Sequence, residues 1–271
     1  MTTAAETFRA LHQPGNPFIL ANAWDVGSAL MLQGLGAKAI GTSSAAHAFT
    51  LGTHDMGHIT RDQALAHAED MVAAVRVPVS GDFENGFGPA PGTCAETVTL
   101  AAEVGLAGIC IEDTALPTEE AYAFDLAVER IRAAASAARA LSDDFFLVAR
   151  ADGVMNGQYS VDEAIRRLQA FEAAGADGLY APVPANPADL GRICAAVSLP
   201  VNVLAVGPCT ALSRAEFAAA GAARISLGSA LARATHRLIR DIGQDMFGNG
   251  DFTALAQSIS SDATETLMFG D

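Results

Sequence analysis

Two acids stand two residues apart in the stretch 80-SGDFENGFGP-89, Asp82 and Glu84, directly after the apolar run 77-VPV-79. A second apolar run, 107-AGICIED-113, closes on Glu112 and Asp113, and a third, 145-FFLVAR-150, on Arg150 with Asp152 beyond it. Carboxylates are hard oxygen donors, and Mg2+ favours a few of them with several retained waters. Asp82, Glu84 and Glu112 are therefore the candidate metal acids, for Mg2+ or for Mn2+ in its place. Clustered without a cation, they would repel one another and hold their protons to higher pH. Arg150 offers a planar fork that suits a substrate carboxylate. Its plainer role is an ion pair with Asp152. Ser43 and Ser44 follow a further apolar run and bring hydroxyl and backbone N–H donors, or simply cap a turn.

Those residues need a scaffold that gathers them. Short apolar runs alternate with longer Ala-rich segments of helical period. Strands are expected at 17–23, 38–43, 78–83, 107–113, 145–150, 177–182, 199–205 and 223–228. Helices are expected at roughly 25–35, 61–76, 93–104, 126–141, 161–174, 187–197, 212–220 and 229–246. A small repeat links the two kinds of element: 34-GLGAKAI-40, 103-EVGLAGI-109, 173-AAGADGL-179 and 219-AAGAARI-225 each run from a helix end through glycine into a strand. Strands that are apolar throughout suit a parallel sheet covered by helices. Eight strand–helix units imply a closed (β/α)8 TIM-type barrel, one domain over residues 1–271. An open doubly wound sheet is the alternative, and no G-x-G-x-x-G follows the first strand to support it. In a barrel, chemistry collects where strands end. Ser43, Ser44, Asp82, Glu84, Glu112, Asp113, Arg150, Asp152 and Asn202 would all lie there.

Bulk properties narrow the partners. Lys and Arg total 16 against 31 Asp and Glu, a net charge of −15. Nucleic acid and anionic membrane are poor partners for such a surface. An anionic substrate needs a local cation, from an arginine or a metal. The cysteines, Cys94, Cys110, Cys194 and Cys209, form no C-x-x-C pair and suggest no disulfide framework. No signal peptide is visible in MTTAAETFRALHQPGNP. The longest uncharged run, Ile193 to Ser213, is broken by Pro200, Gly207 and Pro208, so no membrane span is expected. A reduced, cytoplasmic setting follows from these readings.

The chain resembles the isocitrate lyase/phosphoenolpyruvate mutase superfamily, in its short members. The motifs are 82-DFENGFG-88, 109-ICIEDTALP-117 and 148-VARADG-153, with weaker likeness from 20-LANAWDVGSAL-30 to 220-AGAARISLGSALARA-234. The resemblance implies Mg2+ held at Asp82, Glu84 and Glu112, with Asp82 as main ligand. It implies substrate contacts from Arg150, Asn202 and the small-residue loop Ser43, Ser44 and Ala45. It adds Asp55, in 51-LGTHDMG-57, as an active-site acid. Small 2-oxo acids are the implied substrates. Homodimers or homotetramers that exchange their last helices are the implied assemblies. Four features of that superfamily are missing. The K-K-C-G-H loop and the K-T-N loop have no counterpart in 118-TEEAYAFDLAVER-130. Pro182 and Ser229 stand where branches of the superfamily carry a glutamate and a histidine.

The reading that results is a Mg2+-dependent enzyme that cleaves a C–C bond in, or decarboxylates, a small 2-oxo or 2-hydroxy acid through an enolate-like anion. The alternatives are P–C chemistry on phosphonopyruvate, or a non-catalytic binder of a 2-oxo dicarboxylate. The segment 45-AAHAFTLGTHDMGHIT-60 is long for a strand–helix connection. It is expected to be a lid with Gly52 and Gly57 as hinges, carrying Asp55 into the site on closure, the alternative being a static loop that holds a short helix. His54 and His58, four apart, are either metal ligands on one helical face or polar residues of that lid.

Overall fold

The computed structural model describes residues 2–183 and 186–270. The order of elements is α1 (Ala4–Leu11), β1 (Phe18–Asn22), α2 (Val26–Gly34), β2 (Ala39–Gly41), α3 (Ser44–Thr50), α4 (Arg61–Ala74) and β3 (Val79–Asp82). Then come α5 (Pro91–Glu103), β4 (Gly108–Glu112), the short strands β5 (Thr114–Ala115) and β6 (Glu120–Ala121), α6 (Phe124–Ala140) and β7 (Phe146–Arg150). The chain continues through α7 (Val161–Ala174), β8 (Gly178–Tyr180), α8 (Ala188–Ala195), β9 (Val201–Leu204), α9 (Arg214–Ala219), β10 (Arg224–Ser226), α10 (Ala230–Asn249) and α11 (Ser261–Phe269). Eight of the strands close a parallel barrel in the order β1-β2-β3-β4-β7-β8-β9-β10. β5 and β6 form a separate antiparallel pair. This is the expected (β/α)8 fold.

Three helices have no counterpart in the sequence expectation. α1 closes the bottom of the barrel with Phe8, which is fully buried edge-on against Phe18 and Phe146. It begins at a Thr3–Glu6 capping box. α3 opens the segment expected to be a lid, with Ser43 as its N-cap. α11 packs on α2. All three are short, and their docking on neighbours supplies what helical period over so few residues cannot.

Barrel register sets the site. Glu112 lies opposite Arg150, Arg150 opposite Tyr180, Tyr180 opposite Asn202, and Asn202 opposite Arg224. Neighbours paired this way in a parallel sheet point to the same face. Strands in a barrel are tilted, so such a row descends. It starts at the last residue of β4 and ends at the first residue of β10.

Gly34 is where α11 touches α2. A Cβ there would lie 1.8 Å from the carbonyl oxygen of Leu267. Alanine normally favours a helix over glycine by up to about 1 kcal/mol. Gly34→Ala should instead destabilise the protein by about 1–3 kcal/mol through overpacking. A lower Tm and faster proteolysis around α11 would show this. A raised Tm would mean that α11 does not dock there.

Candidate active site

The mouth of the barrel brings Asp82, Glu112 and Arg150 together. Asp82 ends β3, Glu112 ends β4 and Arg150 ends β7. Arg150 Nη1 lies 3.3 Å from Glu112 Oε2 and 3.6 Å from Asp82 Oδ1. The planar fork expected for a substrate is engaged by Asp152: Nη2 donates to Oδ2 at 2.6 Å and Nε donates to Oδ1. The edge turned toward the acids is Nη1. Burial opposes the Arg150 charge, but Asp152 and Glu112 outweigh it, so this guanidinium stays ionised.

Asp82 is heavily engaged. Its Oδ2 accepts from both the backbone N–H and the hydroxyl of Ser44, each at 3.1 Å. Its backbone N–H donates to Thr42 Oγ1 at 2.8 Å. The Cys110 thiol lies 3.6 Å from its other oxygen. Ser43 caps α3, accepting from the Ala46 N–H, and Ala45 lies in the first turn of that helix.

Glu84 reaches the cluster by an unusual backbone. Its φ is +46°, left-handed for a residue with a side chain, and Phe87 follows at +63°. The loop is held from outside. Arg130, buried in α6, donates to the carbonyls of Asn85 and Gly88. Thr97 donates to the carbonyl of Gly86 at 3.0 Å. The Glu84 carbonyl accepts from the Glu112 N–H at 2.8 Å, tying the two acid-bearing segments together. A groove of about 550 Å³ opens beside Glu84, lined in part by Gly57, Arg61, Phe87 and Leu116.

The segment 51–60 lies over the acids. Gly57 N–H donates to Glu84 Oε1 at 3.1 Å. A Cβ on Gly57 would come 2.9 Å from Leu116 Cβ, and its φ is +83°. The segment thus meets the loop between β5 and β6. Asp55 stands among Ser44, Asp82 and Arg150, and burial raises its carboxyl. His54 and His58 lie on the exposed part of this loop, with ring centroids 5.7 Å apart. They do not share a helical face.

Two expected residues sit elsewhere. Asn202 is inside β9, not at its end. Its amide is spent on the barrel floor, accepting from Arg224 Nε at 2.8 Å and donating to Ser226 Oγ at 2.9 Å. Asp113 is structural: it accepts from Arg167 at 2.9 Å, Tyr159 at 2.8 Å and the Asp152 N–H at 2.9 Å. Sequence reasoning passed over Arg224, Ser80 and Tyr180, which face the barrel interior. A charged residue inside the apolar strand 223–228 was the available signal.

Electrostatics identify what the acids lack. Burial pushes Glu84 up to about 7 and raises Glu112 well above the usual carboxylate range, with Asp152 adding to the effect on Glu112. Glu112 Oε1 and Asp55 Oδ1 are buried with no hydrogen-bond partner among the described residues. Hard oxygens short of positive charge are the donor set that a hydrated divalent ion fits. Among the described residues no group of three or more His, Cys, Asp or Glu side chains is arranged to hold a metal ion.

A buried acid cluster at the C-terminal mouth of a (β/α)8 barrel defines a barrel enzyme. A family model described as phosphoenolpyruvate phosphomutase matches residues 8–247. A protein of Burkholderia cenocepacia J2315, provisionally designated a lyase/mutase, superposes with a TM-score of 0.92 at 43% identity, covering 97% of this chain and 94% of that one. 2,3-Dimethylmalate lyase superposes with a TM-score of 0.86 at 25% identity, covering 99% and 95%. An uncharacterized protein of Mycobacterium tuberculosis is 34% identical over 224 residues, 82% of each chain. Oxaloacetate decarboxylase 2 of Pseudomonas fluorescens (strain Pf0-1) is 30% identical over 214 residues, 78% of this chain and 69% of that one. The chain belongs to the phosphoenolpyruvate phosphomutase family, within the PEP mutase/isocitrate lyase superfamily of lyases and mutases.

Glu84 gives a pH test. Its folded-state carboxyl is raised, so it favours the folded state when protonated. That contribution is full below about pH 4.5 and is lost as pH climbs through about 7. Without added divalent metal, urea unfolding should show stability falling between about pH 5 and pH 8. Glu84→Gln should flatten that slope. Equal slopes in both proteins would mean that Glu84 titrates as an exposed carboxylate.

Proposed function

We propose that this protein is a Mg2+-dependent lyase that breaks a C–C bond in a small 2-oxo or 2-hydroxy acid, by decarboxylation or by retro-aldol or Claisen-type cleavage. The observation that carries the reading is the surplus of buried carboxylate around one arginine at the barrel mouth. Asp82 would hold Mg2+, or Mn2+, directly, with Glu84 and Glu112 acting through water. The ion, when bound, supplies Lewis-acid polarisation to the substrate's oxo and carboxylate oxygens.

The protein's own residues do the rest. Asp152 fixes the plane of Arg150, so its Nη1 edge meets negative charge that builds as the bond breaks. Ser44 holds Asp82 in place through two hydrogen bonds. The lid excludes water that would protonate an enolate-like anion at the wrong moment. Asp55 rides on that lid into the site.

The relatives named as oxaloacetate decarboxylase and 2,3-dimethylmalate lyase support this reaction class. The segment 114–121 forms a β-hairpin with no Lys, Cys or His. That favours decarboxylation or a cleavage whose first step needs no thiol acid. The proposed setting is the cytoplasm, and the described residues include no helix long and apolar enough to cross a membrane. Among the buried residues of α10 is Ala232, while Leu238, Ile239 and Phe247 on that helix are exposed. This apolar face supports assembly as a homodimer or homotetramer.

The test is turnover with Mg2+ and oxaloacetate, 2-methylisocitrate or phosphonopyruvate, watched for pyruvate. Asp82→Ala should abolish the metal-dependent rate while keeping the wild-type circular dichroism spectrum, and it serves as the blank for metal-catalysed oxaloacetate decay. Binding without turnover on any 2-oxo acid would reduce the protein to a binder. Pyruvate from phosphonopyruvate alone would move it to P–C chemistry.

Arg150→Lys keeps the charge but loses the two-point pairing with Asp152. Affinity for a 2-oxo acid should fall by about 1–3 kcal/mol. Unchanged affinity would leave Arg150 as a structural partner of Asp152.

A further inference from the structure

Beneath the acids, inside the barrel, lies a chamber of about 50 Å³. Its lining includes Ser80, Asp82, Cys110, Arg150, Tyr180 and Arg224. Arg224 is 3% exposed. Its hydrogen-bond partners among the described residues are neutral. Nε donates to Asn202 Oδ1 at 2.8 Å, and Nη1 lies 3.5 Å from His12 Nε2. His12 Nδ1 is 2.8 Å from the Phe8 carbonyl, so the ring proton belongs on Nδ1 and Nε2 accepts. Burial, then the Arg224 charge, drive the His12 pKa down to about 2, so this ring carries no charge. Arg224 Nη2 has no hydrogen-bond partner among the described residues.

Other donors face the same space. The hydroxyls of Ser80, 4% exposed, and Tyr180, 6% exposed, make no hydrogen bond among the described residues. Burial keeps the Tyr180 phenol and the Cys110 thiol protonated, so neither supplies negative charge. Asp82, the carboxylate that lines the chamber, already accepts from Ser44, meets the Cys110 thiol and faces Arg150. A buried charge with neutral partners is costly, and proteins normally supply a counter-charge. Burial lowers even this arginine, to about 10, and the Asp82 charge offsets only part of that cost.

We propose that the chamber is a small-anion subsite, in which Arg224, Ser80 and Tyr180 donate to a monoanion no larger than a carboxylate. At about 50 Å³ the chamber suits a small anion. The anion is either free, such as a halide or formate, or the carboxylate end of a substrate that enters from the acids above. Water could satisfy the two hydroxyls, but it would leave the guanidinium charge uncompensated.

Bromide is the probe. Crystals of the full chain soaked in bromide and measured at the bromine edge should show an anomalous peak in the chamber, within hydrogen-bonding distance of Arg224. In solution, formate should raise the Tm, and Arg224→Met should weaken its apparent affinity by at least about tenfold. Should Arg224→Met fail to fold, Ser80→Ala and Tyr180→Phe each remove one donor and leave the charge, and each should lower the bromide occupancy. Bromide absent from the chamber, or a peak unchanged in all the variants that fold, would overturn the proposal. A second soak with oxaloacetate separates the two sources. Displaced bromide marks a substrate carboxylate, and co-occupancy marks a free anion. None of these readouts requires turnover, so the anion subsite and the lyase reading can fail separately.

Discussion

One buried guanidinium faces three carboxylates at the mouth of this barrel, and the arrangement of the site follows from that imbalance. Arg150 lies within ion-pair distance of Asp82, Glu112 and Asp152. A single positive charge cannot offset them all in a place stripped of water. The protein responds in two ways. It aims neutral donors at the acids, from Ser44 at Asp82 and from the Gly57 N–H at Glu84. Burial also raises Glu84 and Glu112, which favours their protonated forms. Both responses are incomplete, as the unpartnered oxygens of Glu112 and Asp55 show. An added cation would relieve the same deficit from outside.

The barrel turns this local problem into a graded interior. The row Glu112, Arg150, Tyr180, Asn202, Arg224 runs across five strands and descends from mouth to floor. One acid and one arginine occupy its top. A neutral phenol and an amide occupy its middle. A second arginine ends it. The acids and the lower arginine are therefore separated by the depth of the barrel rather than paired, and the space between them is the chamber. The same shear that closes the sheet sets that separation.

The loop after β3 shows how strain is carried. Glu84 and Phe87 both hold left-handed backbone, a conformation that persists only when neighbours enforce it. Arg130 and Thr97 enforce it through three carbonyls that the loop cannot satisfy with its own N–H groups. The Arg130 guanidinium lies over the Tyr122 ring, 4.1 Å from its centroid, and completes the clamp. Segment 51–60 rests on this clamped loop, where the Gly57 N–H donates to Glu84 at 3.1 Å.

The alternation of apolar runs and Ala-rich helices, by itself, determined eight strand–helix units and a closed barrel, because parallel strands covered by helices must be apolar on both faces. It also marked Asp82, Glu112 and Arg150, since a charge at the end of an apolar run reads as a strand end. The motif likeness determined the superfamily. What remained to the tertiary structure was the partner of each charge. Nothing in 148-VARADG-153 says whether Arg150 turns to Asp152 or to a ligand, and nothing in Asn202 says that its amide faces Arg224, twenty-two residues on. Such pairings depend on strand register and tilt, which bring together residues far apart in sequence. Asp113 and Glu112 are adjacent in the chain yet part company for the same reason: successive strand residues face opposite sides of the sheet, so one acid enters the barrel and its neighbour anchors α7 through Arg167.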